Sequence, residues 1–246
     1  MGGRAVRTLV IGDVHGNLAA LEAVLVEPHD LLLCLGDLVG FGPEPGECVR
    51  RVRDLARIVV QGDHDRRAAF GIPTADRGLL RWLADATAAA AVGRLGERER
   101  AYLGGLPRWA VTSEPGPRCL LVHGAPADAL YGELAAGAET SPAELAGVAA
   151  DLVWCGQTHR QFQAAIGATR VVSPGSVGLP LDGDSRAAYA VLDGDQVWLR
   201  RVPYPIERTI AVVRRAGLPA PARRALERVL WSGAAPLDEP LAGTRP

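Results

Sequence analysis

Residues 6–15 read VRTLVIGDVH, and this stretch decides the fold class of the 246-residue chain. Val6–Ile11 is a run of apolar and β-branched residues that predicts a buried strand, and Gly12 ends it. Asp13 and His15 follow directly. Because alternate residues of an extended chain point to the same side, the two side chains can bind one cation there.

The same order, an apolar strand followed by a segment rich in Gly, Asp and His, recurs along the chain. Four of the five histidines lie in these segments. Helices predicted between the first strands imply right-handed crossovers and a largely parallel sheet, so the fold class is α/β. The segments then meet at the carboxyl ends of the strands, where such sheets bind ligands. The later four are Gly36-Asp37, Gly62-Asp63-His64-Asp65, His123-Gly124 and Gly156-Gln157-Thr158-His159.

A single Gly-Asp dipeptide is also common in turns, so only the five segments taken together support a metal site.

The predicted elements taken together indicate a single domain over residues 1–232. The last part of the domain, 205–232, is predicted to be a helical extension, followed by a flexible tail over 233–246. The further elements expected are a helical stretch at 75–104, two strands within 109–122, strands near 162–166, 170–173, 187–192 and 196–202, and helices at 205–216 and 221–231.

The composition excludes several classes of function. With 48% apolar residues, 22% charged residues and a net charge of −1, the chain has no basic field for nucleic acid. A phosphorylated substrate must be held locally, and Arg160 and Arg66 are candidates, with solvent-exposed charge as the alternative. No apolar run approaches the length of a membrane span. The four dispersed cysteines suggest no disulfide framework, so we expect a cytoplasmic protein.

In this order the segments resemble the calcineurin-like metallophosphoesterase superfamily, in its small prokaryotic branch of phosphodiesterases and phosphatases. The pattern of that family is D-x-H, then G-D, G-N-H-D/E, H, and G-H-x-H. The stretches Gly36–Pro43 and Pro174–Gly178 extend the likeness. The resemblance implies a four-layer α/β/β/α sandwich with two mixed sheets and a dinuclear metal site at the strand carboxyl ends.

The resemblance also implies a role for each site residue. The first cation would be held by Asp13, His15, Asp37 and His159, and the second by Asp37, Asp63, His123 and Gln157. His64 matches the proton donor of the family, and Asp65 the residue that orients it. A hydroxide that bridges the cations would attack phosphorus, while the cations neutralise charge on the phosphoryl oxygens.

Two positions depart from the family pattern, and both concern the second cation. Asp63 stands where the family has Asn, and Gln157 stands where it has His. Either the second site is retuned towards cations that prefer oxygen ligands, or it is weakened and partly empty. We favour a retained pair of divalent cations, with manganese first and iron, zinc, nickel or magnesium as alternatives.

The sequence therefore predicts a metal-dependent phosphohydrolase that acts on a small phosphomonoester or phosphodiester. The alternative is a catalytically weakened member that binds metal and phosphate as a sensor or partner module. The altered second site favours that alternative, and the His64-Asp65 pair argues against it. A nuclease gains no support from the net charge. Association into a homo-oligomer stays open.

Overall fold

The computed structural model describes residues 6–113, 116–135 and 142–235. Its strands are Arg7–Ile11 (β1), Leu31–Cys34 (β2), Ile58–Val59 (β3), Trp109–Thr112 (β4), Cys119–Val122 (β5), Leu152–Trp154 (β6), Gln161–Ile166 (β7), Thr169–Pro174 (β8), Ala187–Asp193 (β9) and Gln196–Val202 (β10). Its α-helices are Leu18–Leu25 (α1), Pro45–Leu55 (α2), Asp63–Phe70 (α3), Gly78–Val92 (α4), Glu97–Gly105 (α5), Ile206–Arg215 (α6) and Ala220–Ser232 (α7).

The strands form two mixed five-stranded sheets. The first has the order β10-β9-β1-β2-β3, and the second has the order β4-β5-β6-β8-β7. In the first sheet, β1, β2 and β3 run parallel, while β9 runs antiparallel to β1. In the second sheet, β5, β6 and β8 run parallel. The expected α/β sandwich with two mixed sheets is confirmed.

Alternation along β1 shows how the layers are built. Leu9 and Ile11 pack with α1 and α2 on the outer face of the first sheet. Val10 points the other way and packs between the sheets with Leu121, Trp154 and other buried residues of the second sheet. Such alternation follows from the two-residue period of a strand. The outer face of the second sheet packs against Leu134 and Leu145, the latter from a short 3-10 helix at Pro142–Leu145.

Two predictions about helices need correction. The helical stretch expected at 75–104 is two helices, α4 and α5, because glycines at 93 and 96 lie between them and Gly96 caps the second. Helix α3 was not predicted, since it is short and strongly charged. It begins at Asp63, separated by three residues from the end of β3, and so carries His64 and Asp65 in its first turn.

The predicted C-terminal helices are present as α6 and α7, which pack with α4, Leu179 and Leu181 near one end of the sheets. Asn17 joins them to the strand ends. Its side chain caps α1, donates to the Gly178 carbonyl and accepts a bond from Thr209 of α6. The predicted flexible tail falls mostly on residues 236–246, which lie outside the described residues. In the part of the chain that is described, no helix is long and apolar enough to cross a bilayer.

Candidate metal centre

All five Asp/His segments meet at one edge of the two sheets. Asp13 and His15 follow β1, Asp37 follows β2, His123 follows β5, and His159 lies between β6 and β7. Their side chains are almost fully buried. One contact across the sheets joins Nε2 of His15 to Nε2 of His159 at 2.9 Å. Residues 144 positions apart in sequence thus share one cluster, as the strand ends predict.

The cluster has two halves that share Asp37. The first half is Asp13, His15 and His159, whose ligand atoms all lie within 4.8 Å of one another. The second half is Asp63, His123 and Gln157, and here Nε2 of His123 lies 3.8 Å from Asp63 Oδ1. Asp37 Oδ2 lies between the halves, 3.6 Å from His15 Nε2 and 3.5 Å from His123 Nε2. A carboxylate in this position can be shared by two cations.

Backbone carbonyls fix the orientation of three histidines. Nδ1 of His15 bonds to the Val39 carbonyl at 3.1 Å, Nδ1 of His123 to that of Leu35 at 2.9 Å, and Nδ1 of His159 to that of Leu179 at 2.8 Å. A carbonyl only accepts, so each Nδ1 carries a hydrogen and each neutral ring offers a lone pair at Nε2. All three Nε2 atoms face the cluster. This arrangement is typical of histidines that bind a metal.

Polar atoms without a protein partner mark the same place. Of the eight buried side-chain polar atoms that lack a hydrogen bond among the described residues, four belong to the cluster. Buried polar atoms are normally paired, so each unpaired atom calls for a ligand. One belongs to the first half and three to the second: Asp13 Oδ2, Asp63 Oδ1, His123 Nε2 and Gln157 Oε1. Carboxylate, imidazole and amide donors suit a divalent cation, so the residues fit the implied metals.

The backbone of the ligands is strained. Six non-glycine residues of the described chain have positive φ, and five of them are in the cluster. The left-handed conformation costs a non-glycine residue about 1–2 kcal/mol, and such strain concentrates at functional sites. Asp13 and His15 have φ of 52° and 47°, so they are not extended as predicted. The left-handed turn, not strand alternation, brings both side chains inward. The other three are Asp37, Gln157 and His159.

The pKa values of His15 and Asp37 are shifted in the directions that reduce buried charge. Burial, together with the neighbouring imidazoles of His159 and His64, lowers the pKa of His15 well below its usual value. Burial and the carboxylates of Asp63 and Asp65 raise the pKa of Asp37 well above its usual value. Both shifts have the physical causes expected where acidic and basic groups are packed out of water. Positive metal charge would stabilise the ionised carboxylates.

Asp65 does not lie where the family role requires. Its two carboxylate oxygens accept bonds from the backbone amides of Asp37, Leu38 and Gly62 at 2.8–3.1 Å. The carboxylate therefore fixes the loop that presents Asp37 and does not orient His64. The partner of His64 is Asp76, whose Oδ2 lies 2.9 Å from Nε2. Asp76 was missed because it belongs to a loop outside all five segments, and no spacing pattern links it to His64.

The His64 pair is electrostatically coupled. Burial acts to lower the pKa of His64, but the hydrogen bond and charge of Asp76 outweigh it and the pKa lies above its usual value. Burial acts to raise the pKa of Asp76, yet the bonds from His64 and Thr74 hold it at about 2. Each partner thus favours the charged form of the other.

The turn at Ser173–Gly178 bonds to the backbone of Asp13 and holds it in place. Ser176 Oγ donates to the Asp13 carbonyl at 2.7 Å, and the amide of Gly178 bonds to the same carbonyl at 3.0 Å. A Cβ at Gly178 would lie 1.9 Å from the Val14 carbonyl, so only glycine permits this approach.

A cavity of about 580 Å³ lies beside the second half. Gln157, Thr158 and Arg160 line one side, and Asp76, Arg77 and Glu133 are also among its lining residues. Arg160 therefore borders the space beside the candidate metal centre. Arg66 does not line this cavity and instead stacks on the Phe70 ring at 5.5 Å. Arg77 was not predicted, although it directly follows Asp76.

Comparison with known proteins agrees with this geometry. Residues 6–196 match the calcineurin-like phosphoesterase superfamily domain. The crystal structure of a metallophosphoesterase from Sphaerobacter thermophilus is similar with a TM-score of 0.77 and 30% identity, covering 94% of this chain and 100% of that one. The uncharacterized protein MJ0912 of Methanocaldococcus jannaschii is 27% identical, over 85% of this chain and 93% of its own.

A shorter match concerns a protein with a named activity. The symmetrical bis(5'-nucleosyl)-tetraphosphatase of Pectobacterium carotovorum is 42% identical over 65 residues, which cover 24% of this chain and 23% of that protein. The family domain covers most of the chain, and the Sphaerobacter thermophilus structure covers nearly all of it. The chain belongs to the calcineurin-like phosphoesterase superfamily.

Proposed function

We propose that the chain is a metal-dependent phosphohydrolase that cleaves a small phosphomonoester or phosphodiester. The observation that carries the proposal is the convergence of three imidazole Nε2 atoms on two buried carboxylates. Those of His15 and His123 lie beside the shared carboxylate of Asp37. That of His159 lies beside His15 and Asp13. Because each Nδ1 bonds to a backbone carbonyl, each ring offers its Nε2 lone pair to a metal. Two divalent cations bound here would supply a nucleophilic water and neutralise charge on the phosphoryl oxygens.

The protein itself supplies binding and proton transfer. Asp13, His15, Asp37 and His159 would hold the first cation, and Asp37, Asp63, His123 and Gln157 the second. Arg160, with Arg77, would bind phosphoryl oxygens in the cavity beside them. His64 would donate a proton to the leaving oxygen. Manganese is the first candidate for the metal, because the oxygen-rich second half suits a hard cation.

Hydrolysis of p-nitrophenyl phosphate and bis(p-nitrophenyl) phosphate tests the proposal. We expect turnover of these esters with Mn²⁺ and its loss with a chelator. With an alkyl phosphate ester, whose leaving oxygen needs a proton, kcat should fall at least about 100-fold in His64→Ala. Tight phosphate binding without turnover under manganese, iron, zinc, nickel or magnesium would instead support the binding module. The match to a bis(5'-nucleosyl)-tetraphosphatase adds dinucleoside polyphosphates to the substrates worth testing.

Two further expectations stay predictions, a single domain over 1–232 and a cytoplasmic location, and association into a homo-oligomer stays open. Limited proteolysis, fractionation of the source cells and light scattering would test them in turn.

A further inference from the structure

We propose that Asp76 is the positioning residue of His64, holding the imidazole so that its Nε2–H faces the substrate cavity. This inference rests on the proposed function, since the position of His64 matters for the reaction only if His64 donates a proton to the leaving group. It adds a residue that lies outside the five Asp/His segments of the sequence.

The contact between the two residues is direct and sheltered. Asp76 Oδ2 lies 2.9 Å from His64 Nε2, and the two side chains are only 11% and 5% exposed. An ionised carboxylate has only acceptor atoms, so the hydrogen must be on Nε2. Thr74 Oγ1 donates to the same carboxylate oxygen at 2.8 Å. The hydroxyl therefore fixes the carboxylate, and the carboxylate fixes the imidazole.

The opposite edge of the imidazole is held by packing. A Cβ built on Gly40 would lie 2.3 Å from His64 Nδ1, so the ring sits directly against the backbone there. Gly40 has a φ of +98°, which a larger residue would rarely adopt. The rings of Phe41 and His15 lie 4.8 Å and 4.9 Å from the His64 ring. With one edge against Gly40, the ring offers Nε2 as its donor towards Asp76.

The cavity explains why this orientation suits proton transfer. Asp76 lines the cavity, and His64, which is not among the lining residues, contacts Asp76 through Nε2. A leaving oxygen next to Asp76 could share the Nε2 hydrogen in a three-centre bond. The proton would pass from Nε2 to the leaving oxygen as the P–O bond breaks, and its electron pair would stay on that oxygen. His64 would change from cation to neutral imidazole, and Asp76 would remain ionised.

The same loop also reaches the second half of the metal centre. The backbone amide of Ala75, between Thr74 and Asp76, donates a short hydrogen bond to Asp63 Oδ2. The other oxygen of Asp63 has no partner among the described residues and faces His123. One tripeptide thus orients both a metal ligand and the proton donor, which fixes their relative positions.

Dependence on the leaving group tests the proposal. Phenyl and 2,4-dinitrophenyl esters are compared, as monoesters or diesters according to which class the wild type hydrolyses. The dinitrophenolate leaves without a proton, whereas phenolate needs one. For Asp76→Ala we expect kcat to fall about 100-fold with the phenyl ester and less than about threefold with the dinitrophenyl ester, with KM unchanged. Asp76→Asn, which keeps an acceptor oxygen, should fall between.

Two controls separate positioning from general damage. Asp54→Asn removes an exposed carboxylate that pairs with Arg53 on the surface of α2, and it should leave both esters unaffected. In a His64→Gln background, Asp76→Ala should cause no further loss, because the two residues act as one unit. An equal fall with both esters, a further loss in that background, or faster turnover in Asp76→Ala would overturn the proposal.

A spectroscopic measurement distinguishes failure of this inference from failure of the proposed function. Long-range ¹H–¹⁵N correlation spectra of histidine-labelled protein report which ring nitrogen carries hydrogen. At a pH where His64 is neutral, the remaining hydrogen should lie on Nε2 in the wild type, and Asp76→Ala should lose that preference. If the wild type hydrolyses no ester, the proposed function fails, and this spectrum alone decides whether Asp76 holds His64.

Discussion

The two halves of the metal centre differ in how many of their buried polar atoms lack a hydrogen-bond partner among the described residues. In the first half, His15 and His159 are each oriented by a backbone carbonyl and lie in mutual contact, and one oxygen of Asp13 lacks a partner. In the second half, each of the three residues has an unpaired buried atom: Asp63 Oδ1, His123 Nε2 and Gln157 Oε1. The second half is also where the sequence departs from the family pattern.

This difference indicates that a change of ligand in the second half does not by itself abolish metal binding there. Had Gln157 been released from metal binding, its amide oxygen would be expected to find a protein partner or solvent. Instead it is buried and unpaired, with φ at 69°, in the same left-handed conformation as His159. The strained backbone and the unpaired oxygen both support a role for Gln157 at a cation. The second half should therefore bind metal, but more weakly than the first.

The largest expected effect comes from the residue that the halves share. Asp37→Asn removes the charge of the carboxylate between His15 and His123, and it should weaken both cations together. We expect kcat to fall by roughly a thousandfold or more, since metal charge stabilises the transition state by several kcal/mol. Metal analysis and steady-state kinetics measure the two effects. Asp195→Asn, in the exposed hairpin between β9 and β10, is the control and should change neither.

If Asp37→Asn released one cation and kept the other at full affinity, the two halves would not share this carboxylate. The two halves would then be two independent metal sites.

A second change should make the halves alike. Gln157→His restores the family residue, and an imidazole nitrogen binds divalent cations better than an amide oxygen. We expect the affinity for the second Mn²⁺ to rise about tenfold, with little change at the first. Isothermal titration of metal-free protein measures both steps. Gln163→His, on the exposed face of β7, is the matched control and should leave both affinities as they are.

No change in either affinity after Gln157→His would mean that position 157 does not reach a cation. The unpaired amide oxygen would then need another explanation.

A third effect, no larger than the second, lies outside the ligands, in the cavity beside the second half. Arg160→Gln removes one guanidinium from the lining and should raise KM about tenfold, equal to about 1.4 kcal/mol, with kcat nearly constant. Arg66→Gln, which loses only the stacking on Phe70, should leave KM unchanged. Equal effects of the two substitutions would remove Arg160 from the binding site.

Part of this centre could be predicted from the sequence because strand ends are local features. The runs before Asp13, Asp37 and His123 identify buried strands, and parallel strands bring their ends to one edge. The backbone of Asp13 and His15 could not be predicted, because the left-handed conformation is imposed by bonds to the neighbouring loop, such as the one from the His15 amide to the Asp37 carbonyl.

The partner of His64 shows the other limit. The family pattern assigned Asp65, its neighbour in sequence, but the first turn of α3 directs that carboxylate to the amides of Gly62, Asp37 and Leu38. Asp76 reaches His64 only because the chain after α3 folds back over the cavity. Such a contact depends on packing across a loop, which neither spacing nor composition reports.

Metal stoichiometry tests most directly whether the altered half still holds a cation. Metal-free protein is titrated with Mn²⁺, and the bound metal per chain is counted at each step. We predict two steps that end near two ions per chain, the second weaker than the first and removed first by a chelator. A single step that ends near one ion per chain, unchanged by excess Mn²⁺, would contradict the account.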